Sequence, residues 1–81
     1  MELEETANLM VSSDYKERFR AEYYQLKHRT EKLNAMLEKW KNNELGFTPN
    51  CPKMILDMQA GYMEMYLGVL EARALIEKID L

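Results

Sequence analysis

The sequence has few of the residues on which cross-linking and metal binding depend. Its 81 residues include one cysteine and one histidine, so an internal disulfide is impossible and a metal site built from these side chains is not expected. No stretch approaches the roughly 18 consecutive apolar residues of a membrane-spanning helix. The acidic start Met1-Glu-Leu-Glu-Glu is the opposite of a basic secretory signal. These absences predict a soluble protein of a reducing cytoplasm, with no membrane association.

Catalytic motifs are also lacking. The sequence has no serine or cysteine nucleophile beside a plausible base, no glycine-rich phosphate loop and no cluster of metal ligands. His28 and Cys51 fall in the middle of one predicted helix and at the opposite hairpin turn, roughly 20 Å apart at a rise of ~1.5 Å per residue. We therefore expect no catalytic residue, no metal and no cofactor, and predict that the protein is not an enzyme.

The charge that is present is unevenly distributed. Residues 15–41 carry eight Lys or Arg against four Glu, a local charge of +4, which leaves −7 on the rest of a chain whose net charge is −3. This basic segment is either a solvated helix face with ion pairs along it or a local site for a small anion. Long nucleic acid is not expected as a partner, because the remaining acidic surface would repel it.

Glycine, proline and asparagine interrupt two long segments at one place and predict an all-α antiparallel helical hairpin. The first helix is predicted over residues 13–43, from the start signal Ser12-Ser13-Asp14 to the stop signal Asn42-Asn43. The second is predicted over 52–78, with Pro52 in its first turn and Asn50 or Cys51 as its cap. The loop is then 44–51. Residues 1–12 form a separate N-terminal segment, either a short helix or disordered.

The two predicted helices differ in the number of their apolar faces. The first has one, made of Phe19, Tyr23, Leu26, Thr30, Leu33, Leu37 and Trp40. The second has two on opposite sides: an inner stripe of Leu56, Ala60, Met63, Leu67, Leu70 and Ala74, and an outer stripe of Ile55, Met58, Tyr62, Met65, Val69, Ala72 and Ile76. One antiparallel partner covers only one stripe, so the pattern predicts a homo-oligomeric bundle with the second helix at its centre.

Polar side chains recur along the predicted seam between the helices. Placing Trp40 level with Leu56 sets three of them against the first helix: Arg73 opposite Tyr23, Tyr66 opposite Thr30, and Gln59 opposite Leu37. One hypothesis pairs Arg73 with Glu22 and lets Gln59, Thr30 and the tyrosine hydroxyls satisfy one another. In the other, the polar side chains project into a cavity between subunits, where a guanidinium and an aromatic face suit a phosphate and a base.

The loop and the second helix carry a family resemblance. The run Leu45-Gly-Phe-Thr-Pro-Asn-Cys-Pro52 resembles a family of very small bacteriophage proteins named after an early gene product of a crAss-like phage. Further matches within residues 14–81 are Tyr23-x-x-Leu-Lys-x-Arg29, Glu31-Lys-Leu33, Leu56, Gln59, Met63, Tyr66, Leu70, Arg73-Ala74 and Ile76-Glu77. In size and hairpin layout that family is similar to the helical-hairpin domain of phage sponges that sequester the cyclic nucleotide signals of CBASS and Thoeris immunity without cleaving them.

The resemblance implies a phage anti-defence protein that binds a small nucleotide signal in the host cytoplasm. On this hypothesis Arg73, Arg29 or Arg18 neutralises phosphate, tyrosines including Tyr66 stack on a base beside Gln59, and the first-turn N–H groups of the second helix near Thr48 and Asn50 offer a further anion site. The alternative is a helical interaction module or inhibitor that captures a host protein through its surplus apolar stripe.

Overall fold

The computed structural model describes residues 14–81, which form a hairpin of two helices. Helix α1 is Tyr15–Lys41, helix α2 is Lys53–Glu77, and they pack against each other. No strand occurs between residues 14 and 81, so the prediction of an all-α hairpin is confirmed. Both helices are slightly shorter than the predicted spans 13–43 and 52–78, because the predicted ends include capping residues. The predicted N-terminal segment 1–12 lies outside the described residues.

Local sequence signals determine where α1 begins and ends. Asp14 is its N-cap, and the Asp14 side chain accepts a hydrogen bond of 2.9 Å from the backbone N–H of Lys16. At the other end the helix stops at Asn42, and Asn43 takes a left-handed conformation with φ of 59°. Asparagine tolerates this conformation better than most residues. Asp14 and Asn42-Asn43 therefore act as predicted, while Ser12 and Ser13 of the start signal lie outside the described residues.

Helix α2 begins without a side-chain cap. Asn50 and Cys51 were the predicted caps, and this prediction is wrong: Pro52 is the N-cap, and its side chain makes no hydrogen bond. The Pro52 carbonyl instead accepts the backbone N–H groups of Ile55 and Leu56 at 3.1 and 3.3 Å. The proline ring fixes φ, at −57° here, close to the value of a helix, so Pro52 is pre-organised for the start of α2.

The core lies near the open end of the hairpin, away from the loop. Its buried residues are Phe19 and Tyr23 of α1, Leu70 and Ala74 of α2, and Ile79 beyond α2. Ile79 reaches the core because Lys78 ends the helix in a left-handed conformation, after which the Ile79 N–H bonds to the Ala74 carbonyl at 2.8 Å. The helical pattern alone did not include Ile79 among the core residues.

The two apolar stripes of α2 have opposite environments. Each residue of the inner stripe is buried or half-buried against α1, and Leu70 is only 1% exposed. Each residue of the outer stripe is exposed, and Met65 is 68% exposed. Within the described part of the chain, neither helix combines the length and hydropathy that crossing a membrane requires. No part of residues 14–81 covers the outer stripe, and the homo-oligomer remains a prediction.

The polar contacts of the seam differ from those predicted. The Thr30 hydroxyl donates to the Leu26 carbonyl of its own helix at 2.7 Å rather than to Tyr66, because a threonine in a helix reaches the carbonyl four residues earlier without any tertiary partner. The Tyr66 hydroxyl donates instead to Glu22. On the other edge of the hairpin, the Asn34 amide donates to Glu64 at 2.9 Å.

Candidate functional site

An open apolar depression lies on the exposed side of α2. Its volume is about 450 Å³, and all of its lining residues belong to this helix: Ile55, Met58, Gln59, Tyr62, Met63 and Tyr66. They meet because positions three, four and seven apart share one side of a helix. The lining offers two aromatic rings, flexible methionine side chains and one amide, and it contains no charged side chain. Such a surface suits a flat, partly apolar group such as a nucleobase.

A row of polar residues borders this depression and continues past it. Gln59, Tyr66 and Arg73, called the polar row below, are spaced seven apart and are all exposed. Tyr66 is fixed by its hydrogen bond to the Glu22 carboxylate of α1. This hydrogen bond, together with burial and the charge of Glu22, raises the pKa of Tyr66 above that of an ordinary tyrosine. The polar row therefore lies on the edge of α2 that faces Glu22.

Arg73 forms its ion pair along its own helix and places its guanidinium over a ring of the other helix. Its Nε donates to Glu77 at 2.8 Å, and its guanidinium carbon lies 4.8 Å from the ring centroid of Phe19. The Glu77 hydrogen bond raises the pKa of Arg73. The predicted ion pair of Arg73 with Glu22 is therefore wrong, because Glu77 is four residues away on the same face and is reached without a tertiary contact. The Arg73 side chain remains 49% exposed.

Two arginines of α1 lie on the same side of the hairpin. Arg18 and Arg29 are exposed, and their spacings of four and seven from Glu22 put all three residues on one flank of α1. Since Glu22 contacts Tyr66 of the polar row, this flank faces the same side as that row. The structure therefore brings Arg18, Arg29, Gln59, Tyr66 and Arg73 to one face of the hairpin.

The other two predicted site residues do not belong to this face. Thr48 and Asn50 are exposed in the loop before α2. Arg73 lies twenty residues beyond the first residue of α2, which corresponds to about 30 Å along the helix. Any anion held by the first turn of α2 is therefore a separate event from binding at the polar row.

Sequence reasoning assigned Tyr62, Met58 and Glu77 no role in a ligand site. Tyr62 and Met58 were recognised only as members of the outer stripe, yet both line the depression. Their spacing from Gln59 and Tyr66 was a usable signal, since residues three and four apart on a helix are neighbours. The same rule, applied to Arg73, indicates Glu77.

The opposite edge of the hairpin holds a polar cleft of about 410 Å³, lined by Asn34, Leu37, Glu38, Lys41, Lys53, Asp57, Ala60, Gly61 and Glu64. Lys53 pairs with Asp57 at 3.1 Å inside it. Over residues 14–81, no three His, Cys, Asp or Glu side chains are arranged to hold a metal ion. Cys51 is a free, half-buried thiol. The polar row and the depression are therefore the stronger candidate for a ligand site.

Comparison with known proteins gives a match to a family model. No curated protein matches the sequence, and no solved structure matches the chain. The family model named Sequestin matches residues 13–76, which include the whole of α1 and all but the last residue of α2. That name indicates a sequestering, sponge-like function. The chain belongs to the Sequestin family.

Proposed function

We propose that this protein is a phage anti-defence sponge that binds a small cyclic nucleotide signal and holds it without cleaving it. It acts stoichiometrically as a homo-oligomer in the host cytoplasm, and it lowers the free concentration of the signal. Membership of the Sequestin family supports sequestration. We further propose that the ligand is a nucleotide, that the protein comes from a phage and that it acts as an oligomer.

The observation that carries the proposal is the combination of an uncharged aromatic depression with exposed arginines on one face. Tyr62 and Tyr66 line the depression with aromatic rings, on which bases stack in other proteins, and the Gln59 amide can donate to and accept from a base edge. Arg73 is exposed at the end of the polar row. A guanidinium binds phosphate with two parallel hydrogen bonds. These are the two chemical parts that a nucleotide ligand requires.

The Glu77 carboxylate does not prevent this role. The hydrogen bond from Arg73 to Glu77 engages Nε, which is one of the five N–H donors of a guanidinium. The pair is exposed to solvent, where attraction between opposite charges is screened by water and salt. A phosphate that approaches the terminal amino groups therefore competes against a weak interaction. Arg18 and Arg29 add positive charge on the same face.

The test is binding of defined nucleotides by the purified full-length chain. The probes are cyclic GMP–AMP, cyclic tri-AMP and cyclic ADP-ribose, with ATP and linear ADP-ribose as controls. A ligand present at about 100 times its Kd stabilises the folded state by about 2.7 kcal/mol, which a thermal melt detects. Chromatography of the heat-released ligand should recover it unchanged. Turnover by the wild type that is lost in Cys51→Ala or His28→Ala would contradict the non-enzymatic part of the proposal.

A second candidate function rests on the outer stripe. Exposed residues such as Met65 and Ile76 form an apolar face along the whole of α2, and such faces bind amphipathic helices of other proteins. On this alternative the protein inhibits a host protein and binds no nucleotide. Absence of a thermal shift with every probe, together with an oligomer that a host protein dissociates, would favour the interaction module over the sponge.

A further inference from the structure

The outer stripe of α2 is an exposed apolar surface against which a second helix can pack. Its seven residues are all exposed and carry no charge. On one side it is bordered by Gly61 and Gly68, where an added Cβ would meet nothing within 4 Å. Packing within the chain therefore does not require these glycines, although glycine weakens a helix interior. Their absence of side chains lets another backbone approach this edge closely.

We infer that a second copy of this chain packs antiparallel along the outer stripe, so that Arg73 of each copy completes the aromatic depression of the other. The inference rests on the proposed function for the identity of the ligand. The stripe runs from Ile55 to Ile76, and its midpoint lies between Met65 and Tyr66. A two-fold axis at that midpoint sets Ile76 opposite the partner's Ile55 and Val69 opposite the partner's Tyr62.

The position of the polar row distinguishes the antiparallel orientation from the parallel one. In a parallel two-fold pair the two polar rows lie on opposite edges of the interface, so Arg73 is remote from the partner's depression. An antiparallel two-fold pair puts both rows on the same edge and sets Arg73 beside the partner's uncharged Met58 and Gln59. The acidic residues Asp57 and Glu64 do not oppose this pairing. They line the cleft on the other edge of the hairpin, where Asp57 pairs with Lys53 and Glu64 accepts from Asn34.

The antiparallel pairing brings a positive charge to the depression. Its lining within one chain contains no cation, and Arg73 of the same chain lies seven residues beyond Tyr66, about 10 Å along the axis. The partner's Arg73 instead arrives level with Met58, at the edge of the depression. A base stacked on Tyr62 or Tyr66 then has its phosphate next to the partner's guanidinium. Each dimer contains two such composite sites, related by symmetry.

Disulfide trapping tests the geometry without any ligand. In the full-length Cys51→Ser chain, Met65→Cys places a thiol next to the two-fold axis and should form a covalent dimer under mild oxidation. Ile76→Cys, exposed on the same stripe, is the matched control. Antiparallel pairing separates the two Ile76 positions by about 30 Å, so this variant should stay monomeric on a non-reducing gel. A mixture of Ile55→Cys and Ile76→Cys chains should give the mixed dimer.

Mixed dimers test whether the site is shared between copies. Arg73→Ala removes the cation, and Gln59→Glu puts a repelling carboxylate in the depression, so neither homodimer should bind the probe nucleotide that wild type binds. In a mixed dimer, the Arg73→Ala chain contributes an intact depression and the Gln59→Glu chain an intact Arg73. After subunit exchange about one quarter of the wild-type sites should return, because half of the dimers are mixed and each has one intact site.

The possible outcomes separate the two proposals. Equal cross-linking of Met65→Cys and Ile76→Cys, or no cross-linking of either, would overturn the antiparallel dimer. Selective cross-linking without recovery of binding in the mixture would overturn the composite site. If wild type binds none of the probes, the proposed function fails and the composite site with it, while the cross-linking result still identifies the helix pairing.

Discussion

Tyr66 and Arg73 are each held by a carboxylate, but the two contacts differ in range. Tyr66 donates to Glu22 across the hairpin, whereas Arg73 donates to Glu77 four residues along α2. The first contact needs the folded hairpin, and the second needs only the helix. Substitutions at the two positions should therefore have different effects on stability.

The hydrogen bond from Tyr66 to Glu22 makes the stability of the fold depend on pH in the alkaline range. Because its folded pKa is raised above the ordinary value, its stabilisation is complete below the tyrosine pKa of about 10 and is lost as pH rises through the folded pKa. In a titration of tyrosinate absorbance, Tyr66→Phe should remove one late-titrating group and Glu22→Gln should shift one earlier. Tyr23, whose pKa is raised chiefly by burial, should remain late in both variants. An unchanged titration in Tyr66→Phe would contradict the assignment.

Arg73→Ala should lower the ligand-free melting temperature only slightly and abolish stabilisation by the nucleotide. Arg73 is exposed and Glu77 can be solvated when unpaired, and the contact of the guanidinium with the Phe19 ring contributes little at an exposed site. Glu77→Gln is the matched control: it removes the competing carboxylate and should preserve or strengthen binding. Arg73→Lys should restore binding only in part, because an ammonium lacks the planar fork of donors. Parallel losses of ligand-free stability in Arg73→Ala and Glu22→Gln would instead assign Arg73 to the seam.

At the scale of the element, α2 carries two apolar faces with different roles. The inner stripe packs against α1 and Ile79, and the outer stripe is exposed over the length of the helix. With 3.6 residues per turn, the two stripes lie on opposite sides of α2. One packed helix covers only one side, so covering both stripes needs two partners. Helix α1 supplies one of them. Within α2, the fold of the single chain therefore depends on the inner stripe.

Leucine-to-alanine substitutions on α2 should reveal this difference. Leu70 is 1% exposed, so Leu70→Ala should lower the free energy of unfolding by roughly 2–5 kcal/mol. Leu75 is 84% exposed and lies off the outer stripe, so Leu75→Ala should change it by less than about 0.5 kcal/mol. Urea unfolding at one fixed protein concentration measures both values. Similar losses for the two variants would mean that Leu75 is covered in the assembled protein.

At the scale of the whole molecule, the chain is too short to bury all of its apolar surface by itself. A domain of this size buries roughly 60–65% of the surface that its unfolded chain exposes. Six of the exposed large apolar side chains lie together on the outer stripe of α2, and large contiguous apolar patches mark interaction sites. Association through that face and ligand binding beside it are therefore expected to be coupled, since each stabilises the same arrangement of α2.

A single charge on the outer stripe should dissociate the oligomer. Met65→Glu places a carboxylate where another apolar helix is expected, and burying an unpaired charge is strongly unfavourable. Light scattering at micromolar concentration should give a dimer or larger species for wild type and a folded monomer for Met65→Glu. Leu75→Glu, on the same helix but off the stripe, should stay oligomeric. A wild-type monomer throughout that range, or an unfolded Met65→Glu chain, would contradict the assignment of the stripe.

The helices and their apolar faces are predictable from local patterns in the sequence. Asp14, Asn42 and Asn43 act within one turn of the backbone, so their effect is visible in the sequence. The two stripes of α2 follow from helical periodicity alone. The grouping of Gln59, Tyr66 and Arg73 on one edge follows from their seven-residue spacing. Each of these features depends on interactions over a few residues.

The side-chain contacts across the hairpin are set by the packing of the two helices and are not predictable from local patterns. Tyr66 meets Glu22, forty-four residues away, because the helices pack at a height that lets its long side chain reach that carboxylate and not Thr30. Ile79 joins the core because Lys78 reverses the backbone after α2. Such contacts depend on the relative position of two rigid helices. A shift of one residue, about 1.5 Å along the axis, changes every partner, and no local pattern specifies a position that finely.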